Sequence, residues 1–124
     1  MGQKRQKAYR AGIIAERIAA LFLMAKGYRV LAFRYKTTAG EIDLIASNAK
    51  RIAFVEVKAR SGVSRENILF TVTPRQQLRI KRAGDLWLTR NKVSRTKEIG
   101  FDIITITPWS LPRHYKDAFS HNSY

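Results

Sequence analysis

Two short apolar runs with a polar break of four residues between them constrain this chain more than any other stretch. Residues 41 to 46 read Glu-Ile-Asp-Leu-Ile-Ala, residues 51 to 59 read Arg-Ile-Ala-Phe-Val-Glu-Val-Lys-Ala, and Ser47-Asn48-Ala49-Lys50 joins them. β-branched and aromatic residues favour strands in both runs, and a connector of this length and polarity suits a hairpin. Period-two alternation puts Glu41, Asp43 and Ile45 on one face of the first strand and Ile42, Leu44 and Ala46 on the other. In the second strand Ile52, Phe54, Glu56 and Lys58 share a face, and Ala53, Val55 and Val57 share its opposite. Three carboxylates thus fall in strands that read as buried, although the chain has only nine Asp and Glu against 24 Lys and Arg. An unpaired buried charge is costly, so this concentration calls for a cation.

The rest of the chain supplies partners for that hairpin. Residues 1 to 10 carry Lys4, Arg5, Lys7 and Arg10 without an acid and read as a mobile basic arm. Ile14, Ile18, Leu21, Phe22 and Ala25 then recur at helical spacing, Gly27 stops the helix, and Ile13, Ala20 and Leu23 make its second face apolar too, with Glu16 on it. Residues 28 to 35 favour a strand, and Thr37 to Gly40 a turn. Residues 60 to 72 show no clear period and read as a loop. Thr73-Pro74-Arg75-Gln76 combines an N-cap Thr with Pro at the first helical position, predicting a helix to about Arg90 that buries Leu78, Ala83, Leu86 and Trp87. Phe101 to Thr107 alternates as a last strand. Residues 108 to 124 read as a tail, a short helix or irregular packing, with Trp109, Tyr115 and Tyr124 free for contacts. The expectation is one α/β domain over residues 1 to 124, a mixed central β-sheet flanked by two helices.

Folding the hairpin across 47 to 50 sets Asp43 opposite Glu56 or one diagonal step away, with Lys58 two residues on. Two carboxylates at that range repel, and neither ionises readily unless a cation sits between them. Mg²⁺ takes oxygen ligands, accepts one or two carboxylates and keeps open positions for water and phosphate. Lys58 could orient or help deprotonate an attacking water, or neutralise charge developing on a phosphate. The set reads as metal-assisted phosphodiester hydrolysis. Glu41 lies beside Gly40, where a solvated carboxylate or a salt bridge to Arg34 or Lys36 is as reasonable as support of the metal ligands, and Asp102 is expected to pair with a basic neighbour.

Asp43, followed after twelve residues by Glu56-Val57-Lys58, resembles the bipartite motif of the PD-(D/E)xK nuclease superfamily. Gly40 to Ala46, Phe54 to Arg60, Glu16, Gly27-Tyr28, Phe101-Asp102 and Ala118-Phe119 bring the resemblance closer to the YraN family of bacterial endonuclease-like proteins. The superfamily's Pro is Ile42 here, and Gly100 stands where that family has Arg. The resemblance implies a restriction-endonuclease-like fold. It also implies a Mg²⁺ ion, replaceable by Mn²⁺, on Asp43, Glu56 and the Val57 carbonyl. Lys58 would be the catalytic lysine, Glu16 an additional helix carboxylate that can reach the metal, and Gln76 or Gln77 a supporting residue.

A formal charge of +15 points to a polyanionic partner. Nucleic acid ranks first, DNA before RNA, with phosphate contacts from the basic arm, Arg60, Arg65, Arg75, Arg79 and Arg82. The absence of cysteine fits a reducing cytoplasm. Glu16 and Arg17 interrupt the apolar run from Ile13 to Ala25, which argues against a signal peptide, and the run is too short to span a bilayer. The functional expectation is a Mg²⁺-dependent endonuclease acting on DNA, branched or damaged, with a homodimer suggested by analogy to junction cutters. The competing expectation is a catalytically silent nucleic-acid-binding module of a repair, recombination or RNA-processing complex.

Overall fold

The computed structural model describes residues 2–59, 66–92 and 96–120, excepting the side chains of residues 2–5 and 7–9. In chain order the elements are α1 (Gly2–Ala25), β1 (Arg29–Lys36), β2 (Glu41–Ser47), β3 (Arg51–Lys58), a short 3-10 helix (Ile68–Thr71), α2 (Pro74–Asn91), β4 (Glu98–Thr105) and β5 (Arg113–Phe119). The strands form one five-stranded sheet in the order β1-β2-β3-β4-β5. β3 and β4 run parallel while every other neighbouring pair is antiparallel, so the sheet is mixed. The parallel pair follows from the crossover through α2, because parallel neighbours cannot be joined by a tight turn. Among the described residues no helix is long and apolar enough to cross a membrane.

Each face of the sheet carries one helix and its own core. Ile80, Ala83 and Trp87 of α2 pack with Ile42, Ile45, Ile52, Phe54, Phe101, Ile103, Tyr115 and Phe119. Ala19, Ala20 and Leu23 of α1 pack with Tyr28, Leu44, Ala46, Ala53, Val55 and Ile104 on the other side. The Thr73 side chain accepts from the Gln76 N–H and Pro74 opens α2, as the sequence predicts. Leu78 and Leu86, expected in the core, are only half-buried.

Three expectations are corrected. The basic arm is not a separate segment, since α1 begins at Gly2; Gln, Lys, Arg and Ala are good helix formers and no proline interrupts them. The outward face of α1 is also not the expected one. Ala15, Glu16, Ala19, Ala20 and Leu23 are buried, whereas Ile14, Ile18, Leu21 and Met24 are exposed. The alanines let the helix axis lie close to the sheet, and Glu16 on that face holds Arg34 of β1 at 2.8 Å. Turning the larger side chains inward would break that pair. Finally, the tail is partly a strand: β5 adds to the sheet edge beside β4 and buries Tyr115 and Phe119, while Trp109 stays fully exposed. Tyr124 lies outside the described residues.

Three local features brace the sheet. Gly27, at φ 92°, closes α1 with Tyr28 N–H bonded to the Leu23 carbonyl and Gly27 N–H to the Met24 carbonyl, a left-handed cap that glycine adopts without strain. Gly40 brings the start of β2 against the α2 backbone so closely that a Cβ there would stand 2.1 Å from the Arg79 carbonyl oxygen. Midway along β4, the fully buried Asp102 takes two hydrogen bonds from Arg51, at 2.6 and 2.8 Å, and lies 2.7 Å from His114 Nε2. Burial works to raise the Asp102 pKa, but hydrogen bonds from Arg51, His114 and the Asp117 N–H outweigh it and hold the carboxyl at about 2. The expected basic partner of Asp102 is therefore Arg51.

Candidate metal centre

The β2–β3 ladder runs from Ser47 opposite Ile52 to Leu44 opposite Val55 and stops there. One step further the same register would set Asp43 against Glu56. In place of a backbone ladder, Asp43 Oδ2 accepts the Val57 N–H at 2.9 Å. A strand residue presents its N–H and C=O to the same neighbour, so the Val57 carbonyl also points to the Asp43 side of β3. The expected alternation of β2 breaks at this point. Ile42 and Ile45 both join the core under α2 while Leu44 and Ala46 face α1. Two things bend the strand here: the Asp43 side chain occupies a main-chain position, and Arg34, next to it on β1, has φ 49°.

Asp43 and Glu56 thereby come close enough for each carboxyl to shift the other's pKa. Burial, then the adjacent Asp43 charge, push the Glu56 pKa up to about 8, against a smaller opposing pull from Lys58. Asp43 is also raised, by burial first and further by the Glu16 and Glu41 charges, with the Val57 N–H working against this. Burial and the Asp43 charge both favour the protonated form of Glu56 near neutral pH. Glu56 Oε1 is further engaged by Gln76 Nε2 at 3.0 Å and Lys58 Nζ at 3.4 Å.

Of the site residues expected from sequence, Asp43, Glu56, Lys58 and Gln76 therefore come together around one carboxylate pair. Gln77 does not, because its amide caps the Val72 carbonyl at 3.0 Å. Glu16 and Glu41 line, with Asp43, Arg34 and Lys36, a cleft of about 130 Å³ at the edge of the pair. Glu16 is held there by Arg34, and Glu41 is exposed opposite Lys36 on β1. Among the described residues no three Asp, Glu or His side chains converge as a metal cage, so the acids divide into a close pair and two neighbours. The sequence held no pointer to Arg34 as the partner of Glu16 on another element. Gln76 could be found from the N-cap, which fixes where the first turn of α2 lies.

Asp43, Glu56 and the Val57 carbonyl offer hard oxygen donors, and a buried carboxyl pair with both pKa values raised is the arrangement a divalent cation relieves. The residues present thus suit Mg²⁺ or Mn²⁺. Of the residues expected to meet phosphate, Arg75, Arg79 and Arg82 are exposed at helical spacing along one face of α2, and Arg10 is exposed on α1. Arg60 and Arg65, and the side chains of Lys4, Arg5 and Lys7, lie outside the described set.

The model of an uncharacterised protein family, UPF0102, matches residues 15–106. A UPF0102 protein of Rhizobium meliloti is 50% identical over 116 residues, covering 94% of this chain and 93% of that relative. One from Rhodopseudomonas palustris is 49% identical, covering 94% and 87% respectively. One from Bradyrhizobium diazoefficiens is 51% identical, covering 94% and 86%.

Proposed function

The chain belongs to the UPF0102 family, and we propose that it is a Mg²⁺-dependent endonuclease of the PD-(D/E)xK kind, cutting phosphodiester bonds in DNA. The observation that carries this reading is the Asp43–Glu56 carboxyl pair, built where the β2–β3 ladder opens and flanked by Lys58 and Gln76. A mixed sheet with a helix on either face suits the restriction-endonuclease-like fold that the motif implies, and +15 net charge suits a phosphate backbone.

Asp43, Glu56 and the Val57 carbonyl would hold the ion. Once bound, it supplies Lewis-acid polarisation of the phosphodiester. Gln76 donates to Glu56 Oε1 and so holds that carboxylate in place beside Asp43. Lys58 balances the excess negative charge of the pair and supplies an ammonium beside the reacting phosphate. Arg34 neutralises Glu16, keeping a third negative charge away from an incoming phosphate. That engagement of Glu16 also favours the second reading, a nucleic-acid-binding module without chemistry.

A cleavage panel decides between them. The purified protein is incubated with duplex, nicked, flap and junction DNAs in Mg²⁺ or Mn²⁺, beside Asp43→Ala and Glu56→Ala. The nuclease reading predicts metal-dependent cutting that both variants lose while still binding DNA. Salt-dependent binding with no cutting of any substrate supports the silent module.

A further inference from the structure

A second feature stands at the same end of the sheet as the carboxyl pair. The Ile106 N–H bonds the Lys58 carbonyl at 2.8 Å, so the β4–β5 connection is rooted on the backbone of the candidate catalytic lysine. Three residues on, a turn with Pro108 at its start is closed by a hydrogen bond between the Thr107 and Ser110 hydroxyls. Trp109 stands at its apex with 102% of its reference surface exposed, and Leu111 follows at 81%. Three peptide links and one hydrogen bond place the Trp109 backbone within about 16 Å of Lys58, roughly five nucleotides along a strand.

On the α2 side, the segment leading to Gln76 carries Phe70, 82% exposed. Trp109, Phe70 and Leu111 are the most exposed large apolar side chains among the described residues. These two aromatics stand on segments anchored at Lys58 and Gln76, in a chain of strong positive charge.

We infer that Trp109 is a base-stacking residue that takes an unstacked nucleobase of a single-stranded stretch adjoining the site. An indole held at a turn apex offers a π-face to any base, and stacking of this kind is tolerant of sequence. The closed turn and the proline hold the ring out before the strand arrives, so little freedom is lost on binding. The inference rests on the nuclease reading for its substrate, and it narrows that substrate to nucleic acid with unpaired bases beside the cut.

Binding measured in EDTA separates the two. Wild type, Trp109→Ala and Trp109→Phe are titrated with a single-stranded oligonucleotide and with the matching duplex, following tryptophan emission and affinity. Trp87 is the only other tryptophan and is buried, so it gives a steady background. Expected are quenching by the single strand in wild type and none in Trp109→Ala. Trp109→Ala should lose about tenfold or more in single-strand affinity, with duplex affinity within about twofold and Trp109→Phe near wild type. The inference is overturned if wild type shows no quenching, or if Trp109→Ala weakens both nucleic acids alike or neither. It is likewise overturned if emission responds to anionic lipid vesicles and not to oligonucleotide. Because no metal is present, failure to cleave DNA would leave these results standing.

Discussion

Asp43 stands beside Glu56 at the point where the backbones of β2 and β3 cease to pair, and each carboxyl shifts the other's pKa. The opened ladder and the carboxyl pair are one feature. Asp43 spends one oxygen on the Val57 N–H that the ladder leaves, and this draws it onto the strand that bears Glu56. Burial and the neighbouring Asp43 charge then push the Glu56 carboxyl toward its protonated form.

The raised Glu56 pKa predicts the pH dependence of stability. The Glu56 pKa in the fold, about 8, exceeds its ordinary 4.5, so the folded chain holds a proton the unfolded chain releases. The resulting stability is full below about pH 4.5 and declines as pH rises through 8, by roughly 2–4 kcal/mol. Thermal melts of metal-free protein should fall across that window, and Glu56→Gln should flatten the fall.

Metal must displace the same proton. Mn²⁺ affinity should rise about tenfold per pH unit up to about 8 and level off above it. Calorimetric titrations at pH 6, 7 and 8 in buffers of different ionisation enthalpy would show about one proton released at the lowest pH.

Gln76 acts through Glu56 as a positioning residue. Gln76→Ala removes a donor to the ionised form, so the midpoint of the metal-binding pH profile should move upward while the melting curve without metal changes little. An unchanged profile would mean that the 3.0 Å contact orients nothing.

Arg51→Ala leaves the fully buried Asp102 of β4 without its main partner. Urea denaturation should show a loss of about 3–5 kcal/mol, the range for breaking a buried ion pair.

Gly40→Ala drives a methyl into the α2 backbone at Arg79, an atom that cannot swing aside. The cost should be about 2–3 kcal/mol by denaturant unfolding. Because the shift separates β2 from α2, Mn²⁺ affinity should fall with it.

The hairpin, the N-cap of α2 and the convergence of Asp43 with Glu56 were legible in the sequence. Each rests on local periodicity or on a spacing that one element fixes. The face of α1 was not legible, since Ile and Leu outweigh Ala in any hydrophobic pattern. What decided it was the Glu16–Arg34 pair and close helix-to-sheet approach, both of which need the partner strand. β5 was hidden because Asp117, at φ 51°, and the register shift opposite Phe101 and Ile103 break its alternation. The break at Asp43 was hidden for a related reason: a side chain that replaces a main-chain acceptor leaves no trace in a hydrophobic period.

Binding of Mn²⁺ tests the carboxyl pair most directly. Electron paramagnetic resonance of free Mn²⁺, titrated at pH 8 against wild type and Asp43→Asn, reports how many ions the protein takes up. One site that saturates in wild type and is lost in Asp43→Asn is the predicted result. Equal uptake by both proteins, or none by wild type, would contradict a metal centre at Asp43 and Glu56.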